Sequence, residues 1–340
     1  MAHLVYKTQG EDSMAYTGAL PWHGLGQKLE EGASLETWAE KAHLNWGVDE
    51  CTVQYHIPGF RETPIGLSFD NRKTLYRTDT MEPLEVVGKN YKVVQPSEIL
   101  EFYRDLVENY GWNIHTAGSL DDGRRVWALA KMNESFVIGK DDKIHQFALL
   151  ATSYDKSLST TFMPTSVRVV CNNTLSYAYD RVGAGMIKVP HCDKFNPNLV
   201  KLEAGLLDDT FGQFGEKAAR MAEVYMNDDR CVNFFMNLMH DARMGDDYTD
   251  VMVDGPKAKA IDGMIEKLSD GDGSDLETSI NTLWGVLNAV TAWVDHEKPA
   301  RTINNRFKGG QWGPGAAIKK AAWDAASEIL DGPKSEVAAA

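Results

Sequence analysis

The sequence predicts an α+β fold, with an antiparallel β-rich core, flanking helices and a helical C-terminal region. Apolar and polar residues alternate with period two in several segments between residues 46 and 168, as is typical of strands with one buried face. After residue 195 the apolar residues take helical spacing instead. Because the strands come in series and do not alternate with helices one by one, this pattern favours α+β over a βαβ arrangement.

The elements are expected in the following order. The first helix spans Ser34 to His43, because Ser34 is a residue type that caps helix N-termini. Three strands follow between Trp46 and Val94, and a second helix runs from Pro96 to Tyr110. Two hairpins come next, with turns at 121–123 and 141–142.

We expect four regions along the chain. They are an α+β core domain (1–194), an acidic helical insertion (195–275), a C-terminal helix and basic segment that pack on the core (276–331), and a disordered tail (332–340).

Composition limits the possible classes of function. No run of about 18 apolar residues occurs, so we expect a globular protein with no membrane partner. The N-terminus has no basic segment followed by an apolar one, so no secretory signal is expected. The four cysteines lie far apart, which argues against a zinc or redox centre and favours the reducing cytoplasm. We expect no metal and no cofactor.

Charge is distributed unevenly. A formal net charge of −14 argues against coating of nucleic acid by bulk electrostatics. The segment 298–320 is an exception, because it contains six basic residues and no Asp or Glu, and such a segment needs a partner. Its basic residues are Lys298, Arg301, Arg306, Lys308, Lys319 and Lys320.

The stretch 161–180 combines a predicted strand with a predicted helix. Val167, Val169 and Cys171 alternate with Ser166 and Arg168, which predicts a strand, and a helix is expected from about Thr174. Asn172 and Asn173 are N-cap residue types, so free backbone N–H groups would lie beside Arg168, where a phosphate could bind. The alternative is a capped core helix beside a surface arginine.

A long helix is expected over 276–296. One of its stripes carries no long polar side chain, which indicates half-burial with specific hydrogen bonds. The stripe comprises Asn281, Trp284, Asn288, Thr291 and Asp295. It is either a polar seam against a neighbouring domain or a surface that faces a ligand.

Three motifs in order, PWHGLG (21–26), RVVCNNTL (168–175) and TLWGVLNAVTAWVDH (282–296), resemble the phage/plasmid-like protein family. This is a domain of unknown function found on bacteriophages, plasmids and bacterial genomes, and the resemblance covers roughly residues 15–325. It implies a role near replication or recombination in a bacterial cytoplasm, and it supplies no established catalytic residues. The order of helix, three strands and helix over Ser34–Tyr110 is also similar to the core of the phage Red-beta type of annealing recombinase.

These features favour a protein that binds and anneals single-stranded DNA and forms homo-oligomers. Such a protein needs cations at phosphate spacing and aromatic side chains for bases. The candidate contacts are Lys89, Lys92, Arg124, Arg125, Trp127, Lys156, Arg168, Asn172, Asn173, Arg301, Arg306 and Lys308.

Two alternatives remain. The first is a phage-encoded interaction or anti-defence protein that binds no nucleic acid and presents the acidic surface of 202–275. The second is an enzyme, with a metal-dependent nuclease as its most specific form. The usual catalytic motifs are absent, and the compact groups His191-Cys192-Asp193 and Asp295-His296 show no partner base at an evident spacing.

Overall fold

The computed structural model describes residues 7–8, 11–18, 25–57, 67–168, 174–175, 186–204, 207–239 and 255–332. It contains antiparallel sheets with flanking helices and a helical C-terminal region, so the predicted α+β class is confirmed. Among the described helices, none is both long and apolar enough to cross a membrane.

The strands are short at the start of the chain and longer in its middle. They are β1 (Lys7–Thr8), β2 (Glu11–Asp12), β3 (Met14–Tyr16), β4 (Gln27–Lys28), β5 (Val48–Tyr55), β6 (Leu67–Arg77), β7 (Pro83–Gly88), β8 (Asn113–Leu120), β9 (Arg125–Ile138), β10 (Asp142–Ser153), β11 (Thr160–Arg168), β12 (Thr174–Leu175) and β13 (Ile187–Val189).

Most helices lie in the second half of the chain. They are α1 (Leu35–Lys41), α2 (Pro96–Glu101), α3 (Arg104–Tyr110), α4 (Pro197–Ala204), α5 (Leu207–Glu223), α6 (Asp228–Met239), α7 (Pro256–Asp270), α8 (Leu283–Ala292), which continues as a π-helix (Trp293–Glu297), α9 (Ile303–Trp312) and α10 (Pro314–Asp331).

The largest sheet has the strand order β12-β11-β10-β9-β8-β3-β4, and β13 also pairs with β11. β3 pairs with β4 in parallel and with β8 antiparallel. A second sheet has the order β5-β6-β7 and is antiparallel throughout. The predicted series of three strands therefore forms a sheet of its own.

Contacts along the chain define two compact units. Unit 1 comprises 1–133, 147–164 and 186–205, and unit 2 comprises 134–146, 165–185 and 206–340. The sequence predicts a boundary between residues 275 and 276, but unit 2 includes the residues on both sides of it.

In unit 1, the first helix begins as predicted, since the backbone N–H of Thr37 donates to Ser34 Oγ at 3.2 Å. The helix predicted over 96–110 is broken between α2 and α3. At this break the fully buried Tyr103 places its hydroxyl 3.0 Å from the carbonyl oxygens of both Ala128 and Ala148. The break is local, because Phe102 and Tyr103 keep backbone angles of the right-handed helical region.

In unit 2, one hydrophobic core joins helices α5 to α8 and α10 with Ile138 and Ile144. Phe214 stacks on Trp323 with ring centroids 5.0 Å apart. Trp284 lies in the same core, and its indole N–H donates to Asp142 Oδ2 at 2.9 Å. The carboxylate thereby satisfies a polar atom that would otherwise be buried without a partner.

The helix predicted from 276 begins only at Leu283, which corrects the sequence-based expectation. Thr282 is its N-cap, and the hydroxyl of Thr282 accepts a hydrogen bond from Gly285 N at 3.0 Å. Asn281 has a positive φ of 53°, a conformation that no helix continues through. Helical spacing of the upstream apolar residues was therefore overridden by a local cap.

The helix predicted from Thr174 is also wrong. Ser166 pairs with Leu175 and Val167 with Thr174, so Thr174–Leu175 form an antiparallel edge strand. Asparagines favour turns as well as helix caps, because their side chains bond to nearby backbone in both settings. No helix N-terminus is formed at Thr174 to receive a phosphate.

Candidate nucleic-acid interface

Two predicted basic residues of unit 1 reach the backbone of β7. Arg124 Nε donates to the carbonyl oxygen of Leu84 at 3.0 Å, and Lys156 Nζ donates to that of Val86 at 3.0 Å. Each also has a carboxylate neighbour, since Arg124 pairs with Asp122 and Lys156 with Glu85, both at 3.3 Å. These two charges are therefore partly neutralised within the chain.

Lys89 and Lys92 lie just beyond the end of β7, and both side chains are exposed. Their backbone is fixed, because Lys89 N donates to Asn71 O at 3.1 Å and Lys92 N donates to His191 O. The structure thus gathers Lys89, Lys92, Arg124 and Lys156 around one strand and the turn that follows it.

Tyr91 lies between these two lysines and stacks on His191. The ring centroids are 4.2 Å apart and the planes differ by 17°. Tyr91 OH donates to Ser153 O at 2.6 Å, and burial raises the pKa of Tyr91 above its usual value, so the phenol stays neutral. The His191 ring nitrogens lie 3.2 Å and 2.9 Å from the carbonyl oxygens of Lys92 and Leu158.

The two rings line a shallow depression of about 370 Å³. Its remaining lining residues are Asn71, Gly88, Lys89, Asn90 and Cys192. A rigid pair of aromatic rings with amides and an ammonium at its edge can accept a planar, hydrogen-bonding group such as a nucleobase. The sequence singled out His191 for a catalytic group, but its pairing with Tyr91, far earlier in the chain, has no local signature.

Two of the predicted contacts are core residues, which corrects the expectation that they face DNA. Trp127 is 3% exposed and Arg125 is 7% exposed, because consecutive residues at the start of β9 are buried on both faces. Arg125 Nη2 donates to Ser157 Oγ at 2.8 Å, and burial lowers the pKa of this guanidinium. Neither side chain presents a free surface to a ligand.

The predicted contacts of unit 2 differ among themselves. Arg301 is exposed, whereas Arg306 donates to the carbonyl oxygens of Lys298 at 3.1 Å and His296 at 2.6 Å. Arg306 therefore satisfies the carbonyl end of the π-helix, a structural role. The side chains of Arg168 and Lys308, and all of Asn172 and Asn173, lie outside the described residues.

The basic segment finds part of its partners inside unit 2. Lys319 is 1% exposed and lies 2.8 Å from Asp295 Oδ1. Lys320 pairs with Asp324 at 2.6 Å. Both acids lie just outside the segment 298–320, so a count restricted to that window overstates its free charge.

Three residues of the helix stripe form a buried seam in unit 2, whereas Asn281 is exposed and precedes the helix. Trp284, Asn288 and Thr291 are all less than 10% exposed, and Asn288 Nδ2 donates to Trp284 O at 2.8 Å. Asp295 ends the seam in its ion pair with Lys319. These contacts lie within unit 2, so they favour a buried seam over a surface that faces a ligand and do not place the seam against another domain. Among the described residues, no group of three or more His, Cys, Asp or Glu is placed to hold a metal.

His115 is a candidate functional residue that the sequence did not indicate. It is the extra residue of a β-bulge, since Ile114 pairs with Ala130 and Thr116 pairs with Leu129. Bulges redirect side chains and are common beside functional sites. Burial, together with the charge of Lys131, lowers the pKa of His115 to about 4. The imidazole is therefore neutral at pH 7.

This lowered pKa predicts a pH dependence of stability. Because the unfolded chain binds the proton more readily, the contribution of a neutral His115 is complete above pH 6.5 and is lost as the pH falls towards 4. The loss amounts to roughly 3 kcal/mol at most. Urea unfolding between pH 7.5 and 4 should show a flatter profile for His115→Gln than for the wild type. The exposed His56 supplies the control, because His56→Gln should keep the wild-type profile; equal slopes for His115→Gln and wild type would contradict the prediction.

Comparison with known proteins gives a family and no function. No curated protein and no solved structure matches the chain. A family model described as Domain of unknown function (DUF932) matches residues 83–309, which is more than half of the 340 residues. The matched range includes β7, the Tyr91–His191 pair, the bulge at His115 and helix α8. The chain therefore belongs to the DUF932 family.

Proposed function

We propose that this protein binds single-stranded DNA through unit 1 and promotes strand annealing during recombination or replication of a phage or plasmid. The observation that carries the proposal is the stacked Tyr91–His191 pair, with the exposed Lys89 and Lys92 beside it. Single-strand binders combine stacking surfaces for bases with cations along the backbone path, and they need no catalytic group. Lys89 and Lys92 supply cations at this place, although the whole chain is acidic.

The contribution of charge can be measured by fluorescence anisotropy of a labelled single-stranded oligonucleotide at several salt concentrations. Lys89→Met with Lys92→Met should weaken binding and reduce the slope of log K against log salt by about 0.7 for each phosphate that the variant no longer neutralises. The control is Lys257→Met with Lys259→Met, two exposed lysines of α7. Equal binding by the two double variants would exclude Lys89 and Lys92 as phosphate contacts. If the wild-type protein shows no salt-dependent binding even at low ionic strength, the proposed function is wrong.

The contribution of stacking needs a separate pair of variants. His191→Leu removes one ring of the pair and should weaken binding roughly tenfold or more, since stacking of a base contributes about 1–3 kcal/mol. Tyr91→Phe keeps both rings and removes only the hydrogen bond to Ser153, so it should bind within a few-fold of wild type. If His191→Leu binds like Tyr91→Phe, the rings do not hold bases. Circular dichroism of each variant checks that the fold is retained.

Annealing activity and oligomeric state follow from the same proposal. Light scattering after size exclusion should show homo-oligomers that grow with single-stranded DNA, and complementary labelled strands should pair faster with the protein than without it. If the protein stays monomeric and binds only one strand, the proposed DNA binding is retained and the proposed annealing activity is excluded.

The runner-up is an interaction or anti-defence protein that binds no nucleic acid. One observation favours it, namely that many carboxylates of α5 to α7 and the following turns are exposed. They are Glu216, Glu223, Asp228, Asp229, Asp262, Glu266, Asp270, Asp272, Asp275 and Glu277. A single host protein retained from a bacterial lysate, combined with no oligonucleotide binding, would favour this function over the first.

A further inference from the structure

The bulge at His115 is held in place by Thr17. The backbone N–H of Thr17 donates to His115 O at 3.0 Å, and its hydroxyl donates to Ile114 O at 3.2 Å. Thr17 therefore provides hydrogen-bond donors to the carbonyl groups of Ile114 and His115 on the side of β3. The imidazole meets the edge of Phe147, with ring centroids 5.1 Å apart. These contacts fix the direction in which the ring points.

The two ring nitrogens of His115 have different surroundings. Nδ1 is buried and has no hydrogen-bond partner. Nε2 lies on the side of Gly18, where an added Cβ would be 3.9 Å away. Because a buried N–H without an acceptor is rarer than a buried acceptor without a donor, the neutral ring is expected to carry its proton on Nε2. His115 then offers one N–H donor on the Gly18 side.

Lys131 brings a positive charge to the same place. It is the cross-strand partner of Asn113, two residues before His115, and its charge acts on the imidazole. A neutral N–H donor beside an ammonium, partly shielded from water by Phe147, suits an anionic oxygen and disfavours a metal cation.

We propose that His115 and Lys131 form a binding site for a phosphate group, with His115 Nε2–H and the Lys131 ammonium as its donors. The site does not depend on the Tyr91–His191 stack and can exist whether or not the protein binds single-stranded DNA. A phosphate monoester and the phosphodiester of a nucleic acid share the chemistry that these donors recognise.

The test uses inorganic phosphate with the full-length protein and observes the histidine ring nitrogens by NMR. Phosphate should shift the His115 Nε2 resonance in a saturable way and leave the exposed His56 unchanged. His115→Phe removes the donor and Lys131→Met removes the charge, so each should weaken binding roughly tenfold or more. His115→Gln places an amide N–H near the position of Nε2, and Lys131→Arg keeps the charge, so these should retain binding. For the variants at position 115, the affinity is followed through backbone amide shifts at Gly18 and Phe147.

A second arm distinguishes the sources of phosphate. The same variants are titrated with a 5′-mononucleotide and with a single-stranded oligonucleotide. If His115→Phe and Lys131→Met weaken binding of the mononucleotide and leave binding of the oligonucleotide unchanged, the site takes free phosphate or monoesters. If the variants weaken binding of both ligands, the site contacts the nucleic-acid backbone.

The proposal is overturned if inorganic phosphate leaves the His115 resonances unchanged, or if His115→Phe and Lys131→Met bind phosphate as the wild type does. Such a result would leave the test on Lys89, Lys92, Tyr91 and His191 unaffected.

Discussion

Gly285→Ala is expected to destabilise unit 2 severely, although it adds only one methyl group to a helix. A Cβ at this position would lie 1.9 Å from Ser279 O and 2.8 Å from Ser279 C, and both are backbone atoms that no side-chain rotation can move. The start of α8 packs directly on the turn that precedes it. We expect a loss of at least about 4 kcal/mol in the free energy of unfolding, or failure to accumulate as folded protein.

The matched control is Gly212→Ala in α5. Its Cβ would meet no atom within 4 Å, so only the helix preference for alanine acts, which should raise stability by up to about 1 kcal/mol. Urea unfolding followed by circular dichroism measures both variants. We expect the free energy of unfolding to fall for Gly285→Ala and to rise for Gly212→Ala. If Gly285→Ala is as stable as the wild type, the close approach to Ser279 does not exist in solution.

Lys319→Met should have the second-largest effect, because it leaves the Asp295 carboxylate buried without its cation. Lys319 and Asp295 are 1% and 10% exposed at the side chain and lie 2.8 Å apart. Removal of one partner of a buried pair costs about 3–5 kcal/mol. The backbone at Gly310 packs closely on the Asp295 carboxylate, since a Cβ added there would lie 3.0 Å from Asp295 Oδ1. Denaturant unfolding should therefore show a large drop.

The adjacent residue supplies the control for this prediction. Lys320 pairs with Asp324 at the surface, and Lys320→Met should cost no more than about 1 kcal/mol. The double variant Lys319→Met with Asp295→Leu should recover part of the loss, because neither charge is then buried alone. If the double variant loses the sum of the two single effects, the ion pair does not couple these residues.

Local patterns in the sequence were sufficient for most of the strands and for the first helix. Alternation between residues 46 and 94 predicts β5 to β7, and Ser34 predicts the start of α1, because both depend on neighbours within a few positions. The same reasoning failed at helix ends, where one capping residue outweighs the periodicity of its neighbours. Thr282 caps a helix that starts well after the point that periodicity suggests. The helix predicted over 96–110 is interrupted at Tyr103, whose hydroxyl group donates to two carbonyl groups on other strands.

The candidate site shows the same limit. Lys89 and Lys92 are accessible, as hydrophilic residues near a turn should be, whereas Trp127 is buried because β9 is covered on both faces. Partners such as Tyr91 and His191, or Asp295 and Lys319, are far apart in the chain and share no spacing that a sequence pattern could reveal. Folding alone brings them together.

The bulge in β8 has a consequence for how this family can change at the level of single codons. Ile114 and Thr116 pair with Ala130 and Leu129, which are neighbours, so His115 is one residue in excess of a regular ladder. Deletion of its codon would close the ladder with β9, but it would also remove the carbonyl group to which the backbone N–H of Thr17, the residue after β3, donates. The loss of this one codon would therefore cost nothing in pairing on one side of the strand and a backbone hydrogen bond on the other.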